Sequence, residues 1–176
     1  YSEFLKAMGR RFEWYSADNS KEWCERGREK VAKALLTEQV HIFCAEFPAF
    51  WELHGYSTDN PVPPTFHNDS ARVKEYIDRP KDLGGRFEVI IIDGRFRRRC
   101  LQVAAEVIAP QGVVILHDAS RTHYHSSLAI YPHVQFLQTG FLPGTRQRSE
   151  VVLASLGECP LIADIAAKYS GLTKDR

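Results

Sequence analysis

The sequence predicts an α/β protein: a mostly parallel sheet with helices on both faces, in one domain spanning 1–176. Three observations carry that expectation. The run Val89-Ile90-Ile91-Ile92 has no polar alternation, which suits a strand buried on both faces, as in parallel sheets. Strand-like runs alternate with helix-like segments, the arrangement that gives a parallel sheet through βαβ crossovers. Finally, four of the strand-like runs end at or near an acid, at Asp18, Glu46, Asp93 and Asp118.

In chain order, Phe4, Leu5 and Met8 stand at helical spacing and Gly9 ends that pattern. RFEWYSAD reads as a strand closing on Asp18, and Ser20 caps an amphipathic helix to about Leu36. VHIFCAEF is strand-like and closes near Glu46. From Pro48 to Asn68, prolines, glycines, Asn, Asp and aromatics predict a long loop, with Trp51 and Tyr56 as candidates for a lid. Trp14 and Trp23 read as packing residues. A helix follows from about Asn68, with Val73, Tyr76 and Ile77 on one face and a break at Pro80. Then come a strand over 87–92, a helix from about Arg97 to Ile108, a turn at Ala109-Pro110-Gln111-Gly112 and a strand over 113–117. HVQFLQTG and SEVVLAS are further strands, and a terminal helix covers roughly 160–169.

Length and composition narrow the function classes. A chain of 176 residues with 44% hydrophobic and 26% charged residues has the make-up of a globular domain with one sizeable core. The formal charge of +1 argues against nucleic acid or a membrane surface as the main partner, and no run of about eighteen apolar residues predicts a span. Cys24, Cys44, Cys100 and Cys159 form no CxxC pair or dense framework, so free thiols in a cytoplasmic protein are expected.

The acids carry the chemistry. In open α/β sheets ligands bind beyond the carboxyl ends of the strands. Asp18 suits a ribose, whose two hydroxyls a carboxylate can accept, or it simply caps the turn before Ser20. Glu46 either approaches the same nucleoside or is a solvated loop carboxylate. Asp93 and Asp118 end two strands joined by one helical crossover, so their carboxylates are expected to converge. Converging carboxylates stay ionised together only when a cation, an arginine or water separates them. That permits a partly hydrated, Mg-like divalent site; the alternative is that both acids orient turns. His117 is then a third ligand or a general base. Gly94 lets backbone approach a ligand or take a positive φ. Arg95 and Arg121 are candidates for an anionic group of a small-molecule substrate, while Arg97, Arg98 and Arg99 read as a solvated helix face. The pair His123 and His125 lacks nearby cysteine partners for zinc.

YSADNSKEW and FEVIIIDGRFRRRCLQVAAEVIAPQGVVILHDAS together resemble class I S-adenosylmethionine-dependent methyltransferases, over about residues 1–155. The first matches a strand ending in an acid and followed by a Glu-Trp pair, and the second the fourth strand, its helix and the fifth strand. The resemblance implies a three-layer Rossmann-like fold and S-adenosylmethionine as cofactor. It places Asp18 on the ribose and Asp93 with Gly94 on the methionine side; beside it, the residues themselves keep Glu46 as a second nucleoside contact and Asp93 and His117 as the catalytic candidates. In metal-dependent O-methyltransferases the fourth and fifth strand ends supply metal ligands, a role that falls to Asp93 and Asp118; His117 stands where another acid is common. The implied reaction is O-methyl transfer to a small or sugar-like substrate. The family's first strand and glycine-rich turn find no counterpart here and are expected upstream of Tyr1. The alternative expectation is a non-catalytic methyltransferase-like binding or assembly module.

Overall fold

The computed structural model describes residues 11–46, 71–141, 148–168 and 173–174. The expected first helix, and the loop carrying Trp51 and Tyr56, lie outside the described residues. The chain divides into two compact units, Tyr1–Arg79 and Pro80–Arg176, and each is described by itself.

In the first unit, β1 (Trp14–Asp18), α1 (Lys21–Lys33) and β2 (Val40–Cys44) form a βαβ unit whose strands pair in parallel, from Trp14 opposite Val40 to Asp18 opposite Cys44. The helix starts where the sequence places it. Ser20 is extended at the N-cap, and its Oγ accepts the Trp23 N–H at 3.4 Å. Glu22 in the first turn and Lys30 and Lys33 in the last complement the helix dipole. Two expectations change. Cys24 and Cys44 are joined in a disulfide, with their Cα atoms 6.0 Å apart, because β2 ends alongside the first turns of α1; the free thiols are Cys100 and Cys159. Trp23 is exposed rather than packed, with the Arg26 guanidinium 5.3 Å from its ring centroid.

The helix α2 (Ala71–Asp82) runs through Pro80 instead of stopping there. A proline in the last turn removes one hydrogen bond and leaves few residues after it to disrupt. The chain turns just beyond, where Gly84 has a φ of 67°.

The second unit holds β3 (Phe87–Ile92), α3 (Arg97–Val107), β4 (Ile108–Leu116), a 3₁₀ turn (Thr122–Tyr124), α4 (His125–Leu128), β5 (His133–Phe141), β6 (Arg148–Ser155), α5 (Pro160–Lys168) and β7 (Thr173–Lys174). The sheet order is β3-β4-β6-β5-β7. The pair β3 and β4, joined through α3, is parallel; the pairs β4 with β6, β5 with β6, and β5 with β7 are antiparallel. The 3₁₀ turn, α4 and β7 carry too few residues to announce themselves by periodicity.

Helices cover both faces of this sheet. On one face Val114 and Leu116 of β4 and Val152 and Ala154 of β6 pack with Leu101 and Ala104 of α3, and with Tyr124, Leu128 and Tyr131. On the other, Val113, Leu137 and Leu153 pack with Cys159 and with Ile162 and Ile165 of α5. The alternation along β4 and β6 thus feeds two separate cores, which explains why VVIL shows no polar alternation. The end strand β3 departs from the expectation of burial on both faces, since Val89 and Ile91 are 43% and 42% exposed. The expected turn at 109–112 is present as an irregularity inside β4, where the register with β3 jumps from Phe87 opposite Ile108 to Val89 opposite Val113.

Candidate active site

The carboxyl ends of β3 and β4 lie side by side, and the backbone ladder continues past them, with the His117 N–H donating to the Ile92 carbonyl at 3.1 Å. That places Asp93, His117 and Asp118 in one cluster at the end of the parallel pair. His117 Nδ1 is 2.8 Å from Asp93 Oδ1 and 3.4 Å from Asp118 Oδ1. One ligand-type atom from each of the three residues lies within 4.8 Å of the others. Although close to two carboxylates, Nδ1 is buried and makes no aligned hydrogen bond with either. Two carboxylate oxygens and an imidazole nitrogen therefore form a donor set that fits a hard or borderline divalent ion.

The group at the centre is one the sequence assigns to solvent. Arg97, the first residue of α3, is 9% exposed. Its Nε–H donates to the Gly94 carbonyl at 3.0 Å. One terminal nitrogen donates to the His117 carbonyl at 2.6 Å and to Asp118 Oδ2 at 3.3 Å. The other donates to the Asp93 carbonyl at 2.9 Å and to Asp93 Oδ1 at 3.4 Å. A guanidinium has five N–H donors, and here there are five acceptors. The cation also lies 5.6 Å from the Tyr124 ring centroid. Of the separators that converging acids need, arginine is the one the structure supplies. The signal in the sequence was slight: Arg97 follows Asp93 by four positions, inside a run whose other members are exposed or half-buried.

This anchoring bends the chain sharply between β3 and α3. The left-handed conformation falls on Phe96, with a φ of 53°, and not on Gly94. Asp118 also has a φ of 53°. A left-handed phenylalanine is strained, whereas aspartate tolerates that region better.

The remaining expected residues are placed as follows. Arg121 is half-exposed, with its guanidinium 3.6 Å from Asp118 Oδ2. Arg95 is exposed and follows Gly94 directly. His125 is engaged through Nε2 with the Ala119 carbonyl at 2.9 Å. In the first unit, Asp18 ends β1 and its Oδ1 accepts the Ser20 N–H at 2.8 Å, so the capping role is real whatever else the carboxylate binds. Glu46 is exposed, two residues past the end of β2.

No family model matches the chain, and no curated protein matches it. Solved structures do. The O-methyltransferase of Bacillus cereus, solved with S-adenosylhomocysteine, is 15% identical at a TM-score of 0.51, over 81% of this chain and 61% of that one. A protein of Thermoplasma acidophilum assigned to the methyltransferases is 8% identical at a TM-score of 0.51, over 89% of this chain and 63% of that one. The chain thus spans less than two thirds of the length of either structure. At these identities the likeness is one of fold: the chain has the Rossmann-like α/β fold that the sequence motifs led us to expect.

Proposed function

We propose that the chain is an S-adenosylmethionine-dependent methyltransferase acting on an oxygen of a small or sugar-like, anionic substrate. The observation that carries this reading is the Asp93, His117 and Asp118 cluster, built at the carboxyl ends of a parallel strand pair in a fold shared with methyltransferases. In the proposed reaction the S–CH3 bond of the sulfonium breaks as the O–CH3 bond forms, and the acceptor hydroxyl loses its proton. The methyl moves in line, so the protein's task is to orient the oxygen and receive the proton.

The residues divide that work. Asp18 is proposed to accept the ribose hydroxyls with the carboxylate oxygen turned away from Ser20, and Glu46 to approach the nucleoside. Asp93 and Gly94 are proposed to line the methionine part. The half-exposed Arg121, and Arg95, are proposed to hold a carboxylate or phosphate of the acceptor. Asp93, His117 and Asp118 would hold a Mg-like cation, which when bound lowers the pKa of an acceptor hydroxyl. As a cation ligand through Nδ1, His117 would not take the hydroxyl proton with that nitrogen. Without a cation, Nε2 becomes the proton acceptor, with Nδ1–H facing the carboxylates.

The deciding experiment is a calorimetric titration of S-adenosylhomocysteine into the folded chain, followed by transfer of labelled methyl groups to small acidic and sugar-like acceptors. Saturable heat and label in an acceptor are expected. No heat with a folded protein would remove the enzyme reading and leave a non-catalytic module. Undiminished turnover in excess chelator would remove the cation alone.

A further inference from the structure

Arg97 has a part in the cluster that goes beyond holding the fold. Three of its five hydrogen bonds go to backbone carbonyls, at Asp93, Gly94 and His117, and tie the ends of β3 and β4 together. The other two, the longest of the five at 3.3 and 3.4 Å, go to the same two carboxylates that a cation would use. A buried guanidinium with every donor engaged has none left for a substrate. We propose that Arg97 is the built-in counter-cation of the Asp93 and Asp118 pair, a positioning residue that keeps the two carboxylates spaced and competes with a divalent ion for them. The proposal rests on reading Asp93, His117 and Asp118 as a cation site.

Charge decides which way the effect runs. With His117 neutral, the two carboxylates and Arg97 leave one net negative charge in the cluster, and the nearby Arg121 reduces it further. A dication entering there meets less attraction than the two acids alone would provide. Removing the Arg97 charge should therefore raise cation affinity, whereas mere damage to the strand ends should lower it. A structural role and a counter-cation role thus predict opposite signs.

The test uses the whole chain and Mn2+ alone, with binding followed by loss of the free-ion paramagnetic resonance signal and folding checked by thermal melting. Arg97→Gln is expected to bind Mn2+ tighter than the unaltered protein by about tenfold or more, given the size of charge interactions near a protein surface. Tighter binding by the variant, with weaker but measurable binding by the unaltered protein, supports both readings. Equal or weaker binding by a folded variant overturns the counter-cation role and leaves the cation site standing. Binding by the variant, with none by the unaltered protein up to millimolar Mn2+, supports the counter-cation role and removes the ion as a cofactor. No binding by either overturns both. If Arg97→Gln does not fold, Arg97→citrulline carries the same comparison, since it removes the charge and keeps the shape and three of the five N–H donors.

Discussion

Asp93 is the residue on which the most chemistry turns, and its position separates chemistry from stability. Its carboxylate is 60% exposed and meets Arg97 only through a long contact of 3.4 Å, whereas its backbone carbonyl accepts from Arg97 at 2.9 Å. Asp93→Asn should therefore leave the melting temperature nearly unchanged while costing about tenfold or more in Mn2+ affinity, readable by the same resonance titration. Undiminished affinity in that variant would make Asp93 a turn residue and displace the site. The identities of the strand-end acids were legible in the sequence, because an apolar run that stops on a carboxylate is visible there. Arg97 was not. Within Arg95-Phe96-Arg97-Arg98-Arg99 only its spacing of four from Asp93 distinguishes the buried arginine from its neighbours. Its burial depends on three carbonyls and two carboxylates gathered from both strand ends, a tertiary arrangement that a charge run does not announce. The same holds for Phe96, whose left-handed backbone follows from that anchoring and overrides the more permissive Gly94 nearby.

Elements were legible where they are long and periodic, and their irregular junctions hold the tests. The strand ends of β1, β2, β3 and β4 fall at or within two residues of where the apolar runs stop. The β3 to β4 junction is tighter than the sequence suggests. A Cβ at Gly112 would stand 2.8 Å from the Phe87 carbonyl oxygen and 2.8 Å from the Ile108 side chain. Backbone cannot move aside as a flexible side chain can, so Gly112→Ala should destabilise the chain by about 2 kcal/mol in a denaturant titration. No change would mean that the irregularity at 109–112 is loose. Tyr131 provides a second junction: its buried hydroxyl donates to the Leu101 carbonyl at 2.6 Å, and burial holds the phenol above its ordinary pKa. Tyr131→Phe leaves that carbonyl without its donor and should cost about 1 to 2 kcal/mol by the same measurement. The disulfide escaped sequence reasoning because Cys24 and Cys44 lie 20 positions apart, and only the parallel pairing of β1 and β2 brings α1 to the end of β2. Denatured without reductant, the chain should show two reactive thiols, Cys100 and Cys159, rising to four after reduction. Four thiols before reduction, in protein purified without reductant, would contradict the pairing.

At the scale of the whole molecule, the α/β class with helices on both sheet faces follows from alternating elements and apolar strands, and both were readable in the sequence. The division into two compact units was not, since it depends on which contacts form and not on pattern. It makes the location of ligand binding a separate measurement. Each proposed contact is tested by itself, Asp18 in the first unit and Asp93 with Gly94 in the second, since a ligand stabilises only what it binds. At roughly a hundred times its dissociation constant a ligand adds about 2.7 kcal/mol to the stability of the folded state it binds. For a chain of this size that corresponds to a shift of several degrees, at about 2 to 4 °C per kcal/mol. Scanning calorimetry with S-adenosylhomocysteine should therefore move the unfolding transition upward by roughly 5 to 10 °C if the chain melts as one cooperative body. If the units melt separately, repeating the scan on Asp18→Ala and Asp93→Asn identifies the contacts: each variant should lose the shift of the transition that contains it. A shift that survives both substitutions would mean that the cofactor binds elsewhere, and the strand-end acids would then be left with cation and acceptor chemistry alone.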